Sequence, residues 1–152
     1  MMILRNVYER ASLVKELAIL YLVSKGPIYG RKRLQKLLFL AKVKYGASLP
    51  FLFTKYLYGP YSSEIQDILD KLTINGLIRE AIMVENGRSI YVYKLTEKGR
   101  KLLQFLLNYP PIKTEPRIQK IIEGIDEVCN KEGKKKTEEI VREAYRYIEK
   151  DE

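Results

Sequence analysis

The chain contains no histidine, no tryptophan and a single cysteine, Cys129. Without imidazole there can be no Ser-His-Asp or Cys-His nucleophilic arrangement and none of the usual His-bearing zinc sites. A lone thiol forms no internal disulfide, and no metal-ligating residues cluster around it, which points to a reducing, cytoplasmic setting. The glycines are scattered singly, so neither a P-loop nor a dinucleotide-binding glycine fingerprint is present. No signal-peptide pattern opens the chain. The most apolar stretch, Leu13 to Val23, is broken by Lys15 and Glu16 and is too short to span a bilayer, so no membrane partner is expected. No pair of carboxylates has a spacing that singles it out for acid–base work. Neither an enzyme nor a cofactor or metal is expected.

What is present is basic charge, unevenly placed. The chain has 152 residues, 28 Lys or Arg against 19 Asp or Glu, and a net charge of +9. Residues 1 to 61 hold 11 basic side chains against Glu9 and Glu16 alone, whereas the rest of the chain is neutral. The excess therefore belongs to the first two fifths, the pattern of a surface that faces a polyanion, with duplex DNA the leading candidate. Abundant Lys, Glu, Ile and Tyr with no His or Trp is also a composition associated with hot-living sources.

Periodicity supplies the elements. Leu13, Leu17, Leu20 and Tyr21 recur at helical intervals between Ser12 and Ser24, and Gly26-Pro27 stops the run. A second helix is predicted over Gly30 to Tyr45, with Leu34, Leu37, Leu38 and Ala41 on its core stripe. Phe39 and Val43 lie on the other side, so this helix should be covered twice, by its own core and by another segment or subunit. Phe51 to Tyr58 reads as a strand ended by Gly59-Pro60. Ser62 or Ser63 then caps a third helix, with Ile65, Ile68, Leu69 and Leu72 inward and Asn75-Gly76 closing it. Asn86-Gly87, between Leu77–Glu85 and Arg88–Leu95, is a strong signal for a type I′ hairpin. Thr96 caps a further helix that Pro110-Pro111 closes.

The expected fold class is mainly α with a small β wing, an α+β winged helix-turn-helix over residues 1–110. Residues 111–152 form a helical extension. Its two amphipathic helices, Glu115 to Asn130 and one capped by Thr137, carry apolar stripes suited to a homodimer through residues 115–150 or, equally, to folding back on their own domain. The run NGLIREAIMVENGRSIYVYKLTEKGRKLL, Asn75 to Leu103, resembles the wing end of a winged helix. Upstream, RKRLQKLLFLAK followed by FLFTKYLYGPYSSEIQDILDKL resembles the YwgA-like proteins and, more distantly, Panacea-domain antitoxins. That resemblance, covering Arg31 to Leu103, implies winged-helix architecture with a regulatory or antitoxin-type role and brings no catalytic residues.

Candidate nucleic-acid contacts follow from charge and placement. Arg31, Lys32, Arg33 and Lys36 gather at the start of the second helix, where the helix dipole also favours phosphate. A charge run is often only a solvated face, but this one coincides with the chain's entire excess charge. Arg88 beside the wing turn is a second contact. Ser62, Ser63, Gln66 and Lys71 belong to the third helix, in the position that reads the major groove in such folds. Its outward face, however, carries Asp67 and Asp70, which phosphates would repel. These two acids are expected to pair with the basic second helix or with a protein partner. Tyr91 and Tyr93 are expected to pack rather than to stack on bases. Two functions result: a DNA-binding transcriptional regulator, and a protein–protein module of the same fold.

Overall fold

The computed structural model describes the backbone of residues 2–56 and 59–151 and the side chains of residues 11–56 and 59–148. The N-terminal helix α1 (Met2–Ser24) runs upstream of the expected start, because no Gly or Pro interrupts the first turns. Two residues, β1 (Ile28–Tyr29), lead into α2 (Arg31–Val43). The chain then makes a small hairpin, β2 (Thr54–Tyr56) and β3 (Gly59–Tyr61), before α3 (Ser63–Ile74). The wing is β4 (Ile78–Glu85) and β5 (Arg88–Leu95), followed by α4 (Glu97–Asn108) and a single turn, α5 (Pro110–Lys113). Two longer helices, α6 (Pro116–Glu132) and α7 (Thr137–Asp151), complete the chain.

One antiparallel sheet has the order β1-β5-β4, with Ile28 opposite Tyr93 and the wing in continuous register from Ile78–Leu95 to Glu85–Arg88. At the wing tip Asn86 and Gly87 both take positive φ, 52° and 75°, as a type I′ turn requires. Strand β1 is absent from the sequence reading because two residues leave no periodic signal.

Gly59-Pro60, expected to end a strand, instead forms one: β3 pairs with β2, Lys55 opposite Pro60 and Tyr56 opposite Gly59. A proline is tolerated there because a two-stranded hairpin leaves one edge of β3 without a ladder partner. Gly59 has φ +99°, and a side chain there would also meet the Lys36 Cε at 3.5 Å and the Tyr145 ring at 3.7 Å. Residues 57–58 lie outside the described residues, so the Tyr58 end of the predicted strand does too.

At α4 the Thr96 hydroxyl accepts from the Gly99 amide at 3.0 Å and reaches the Gly76 carbonyl at 2.7 Å. A Cβ on Gly99 would fall 2.0 Å from the Leu77 carbonyl oxygen, so the first turn of α4 sits directly on the α3–β4 turn. That contact accounts for the spacing in Leu-Thr-Glu-x-Gly: the threonine caps, and the glycine makes room.

Helix α2 is the axis of the molecule. Every residue from Leu34 to Ala41 is buried, including Gln35 and Lys36. The cover comes from the chain itself, since α6, α7, β1 and β3 all pack on α2, while α6 also packs on α1. Ile118, Ile121, Ile125 and Val128 of α6 and Ile140 and Ala144 of α7 are buried in the common core. Those apolar residues are buried within the chain, as the fold-back alternative required.

Candidate functional site

Of the four cations in the first turns of α2, Arg31, Lys32 and Lys36 share one side and Arg33 departs from them. Arg31 is half-exposed and braced: its Nε donates to the Tyr93 hydroxyl at 3.0 Å, and its guanidinium lies 4.0 Å from the centre of the Tyr91 ring. Glu80 stands 3.8 Å away. The hydrogen bond to Tyr93 raises the Arg31 pKa further, so its charge is permanent. Arg33 points the other way and donates to the carbonyls of Gly133 at 2.6 Å and Lys135 at 2.7 Å. It clasps the α6–α7 turn, and burial lowers its pKa. Lys32 is exposed.

Lys36 is only 3% exposed. Its stem lies along Gly59, and the side chain lines a hollow on the far side of α2 from Arg33. Burial pushes its pKa down to about 8, and the neighbouring Lys32 charge adds to the shift. Beside it, Gln35 makes a reciprocal pair with Ser62, donating to the Ser62 carbonyl at 2.8 Å and accepting from the Ser62 amide at 2.9 Å. The Ser62 hydroxyl in turn accepts from the Ile65 amide at 3.3 Å and caps α3. The adjacent polar residues in Leu34-Gln35-Lys36-Leu37 thus do different things: one pins the start of α3, and the other opens into a hollow.

That hollow has a volume of about 260 Å³. Helix α2 contributes Arg31, Lys32, Gln35 and Lys36 to its wall; the β2–β3 hairpin contributes Tyr56 and Tyr61, and α3 contributes Gln66. The two tyrosine rings lie 5.6 Å apart at a tilt of 34°. Tyr56 and Tyr61 were not anticipated as site residues. The signal that could have found this place is the polar pair Gln35-Lys36 inside an otherwise apolar run. A helix covered on both sides must bury such residues.

The nine expected contact residues therefore separate. Arg31, Lys32, Lys36 and Gln66 converge on the hollow. Ser62 is 1% exposed and serves as a cap. Ser63 is exposed in the first turn of α3, in a neighbouring depression with Lys15 and Glu64. Arg33 and Arg88 line a separate groove of about 790 Å³ between the wing and the α6–α7 turn. Lys71 pairs with Glu16 at 3.2 Å. Asp67 and Asp70 are exposed and do not pair with α2: Asp70 accepts from Gln66 at 2.9 Å, while the α2 cations are met by the wing and the C-terminal helices. The reason is distance along the fold, because the buried hairpin junction at Gly59–Ser62 and α7 occupy the space beside α2. Tyr93 is fully buried and Tyr91 partly so, both packing as expected.

Fold and site together define a class: an α+β protein, mostly helical, with a small antiparallel sheet extended into a wing and a basic, tyrosine-walled hollow. Among named proteins the chain is similar to the uncharacterized protein YwgA of Bacillus subtilis (strain 168), 35% identical over 109 residues. The matched region is 69% of this chain and 60% of YwgA, so the chain spans less than two thirds of that relative's length. Over that region the chain is similar to YwgA. No family model matches it. Among the described residues, no helix is long and apolar enough to cross a membrane.

Proposed function

We propose that this chain is a winged-helix DNA-binding protein, a transcriptional regulator that grips duplex DNA through the N-terminal turn of α2 and the wing. The observation that carries the reading is the placement of charge. The excess of +9 lies wholly in residues 1 to 61, and its exposed members Arg31 and Lys32 stand beside Gln66 at the start of α3. The β1-β5-β4 sheet, with its hairpin ending at Arg88, follows the order in which a winged helix presents its wing. The contact set is narrower than charge alone suggests. Lys36 and Ser62 are too buried to touch a backbone phosphate, Arg33 is tied to the α6–α7 turn, and Lys71 is paired. The exposed cations Arg31, Lys32 and Arg88 are the proposed phosphate contacts, with Ser63 and Gln66 beside the groove.

The test is binding to random-sequence duplex at low salt, about 50 mM, where nonspecific phosphate affinity is greatest. Wild-type protein should bind, and Arg31→Ala with Lys32→Ala and Arg88→Ala should bind markedly less. No binding by the wild type overturns the proposal.

A second reading is favoured by a specific feature, the outward face of α3. Asp67 and Asp70 are exposed without an ion pair among the described residues, and Ile74 next to them is 83% exposed. An acidic face with an apolar residue suits a basic protein partner better than DNA. Co-purification of a partner that is lost on Asp67→Lys with Asp70→Lys supports this module; an unchanged set of partners contradicts it.

A further inference from the structure

We propose that the hollow between α2, the β2–β3 hairpin and α3 is a binding site for a small phosphomonoester. Lys36 is the first reason. Its side chain is almost wholly covered, yet it lines the hollow, and like-charged Lys32 close by adds repulsion. Among the described residues no carboxylate lines the hollow. A conventional buried lysine has a carboxylate or several carbonyls around it, whereas this one faces a cavity whose other charged members, Arg31 and Lys32, are also cations. The site is built for an anion and supplies no anion of its own.

The form of the anion follows from the recess. A diester in a duplex backbone carries one charge between two bulky substituents, and Lys36 is too deep for it to reach. A monoester carries up to two charges on a terminal group with one substituent. It can therefore sit on Lys36 while Arg31 and Lys32 close on its oxygens. Arg31 is preset for this role by its hydrogen bond to Tyr93, and the positive end of α2 reinforces the field. Tyr56, 61% exposed, and Tyr61 offer ring faces to the substituent, and Gln66 offers an amide. A volume of about 260 Å³ holds a phosphate and the nearest ring of its substituent, with the remainder lying over the exposed Tyr56, and not a polymer. The site shares Arg31, Lys32 and Gln66 with the proposed duplex contact, but duplex lacking terminal phosphates has no monoester to offer, so the two readings fail separately.

Calorimetric titration with AMP, inorganic phosphate and adenosine tests it. AMP and phosphate should bind and adenosine should not. Lys36→Met should weaken AMP by about tenfold or more, as expected when a charge-assisted contact is lost. The same loss should be absent in Lys120→Ala, which removes an exposed charge from α6. Amide and side-chain NMR shifts in the wild-type protein provide a measurement that does not depend on a variant folding. On adding AMP they should map to residues 31–36, Tyr56, Tyr61 and Gln66. Shifts elsewhere, equal binding by Lys36→Met, or no binding of either phosphate probe up to ~10 mM would overturn the assignment. Much tighter binding of a 5′-phosphorylated tetranucleotide than of AMP would overturn its small-molecule part.

Discussion

At Lys36 the cost of covering a charged side chain meets the proposed need for its charge. Its pKa in the folded chain, about 8, lies below the 10.5 expected for an exposed lysine. The unfolded chain therefore holds more protons between those values, and the Lys36 contribution to stability rises as pH climbs from 8 towards 10.5. Lys36→Met should remove that rise and stabilise the protein at pH 7 by on the order of 1–3 kcal/mol. Urea melts of both proteins at pH 7 and pH 9.5 check it: the variant's advantage should shrink at the higher pH. A variant less stable at both pH values would mean that Lys36 has a structural partner. Counting Lys36 with Arg31, Lys32 and Arg33 treated a run in sequence as a face in space. Successive helical residues turn by about 100°, so Arg33 leaves Arg31, Lys32 and Lys36 for the α6–α7 turn. The cluster was legible in the sequence; its division was not.

Elements form where local signals agree. The wing was readable because Asn86-Gly87 fixes the turn and thereby the register of both strands. The β2–β3 hairpin was misread because Gly59-Pro60 is locally a stop, and only the packing of Lys36 and Tyr145 against Gly59 shows why it is retained in a strand. The start of α4 combines a cap and a close approach. Gly99→Ala forces a methyl onto the Leu77 carbonyl and should cost about 3 kcal/mol, measurable in denaturant melts, with the helix propensity gain far too small to compensate. A change below about 0.5 kcal/mol would contradict this packing. Where α2 meets α6 and α7, Lys44 lies 3.1 Å from Glu132 and 2.9 Å from Glu143. Burial works to raise the Glu132 carboxyl, but hydrogen bonds from Lys135, Tyr45 and Lys44 prevail and hold it at about 2. This contribution is complete above pH 4.5 and lost as pH falls towards 2. Glu132→Gln should destabilise by about 1–3 kcal/mol at pH 7 and flatten the loss of stability between pH 5 and pH 3. An unchanged acid profile would show that the docking of α6 and α7 does not rest on this network.

At the scale of the whole molecule, two properties bear on the proposed partner: a basic N-terminal region in an otherwise neutral chain, and a core that takes in apolar residues of α6 and α7. The second could not be read from sequence, because an amphipathic helix has the same pattern whether it buries its stripe at home or on a second copy. The first was plain in the composition, and it makes a quantitative demand. Each phosphate neutralised by a cation contributes about 0.9 to the slope of log affinity against log salt. The measurement that tests the account most directly is therefore that slope for random duplex, in wild type and in Arg31→Ala with Lys32→Ala. The account predicts a steep wild-type slope that falls by about 2 in the variant, with the fold unchanged. Equal slopes would contradict it, since the grip would then lie elsewhere than on the first turn of α2.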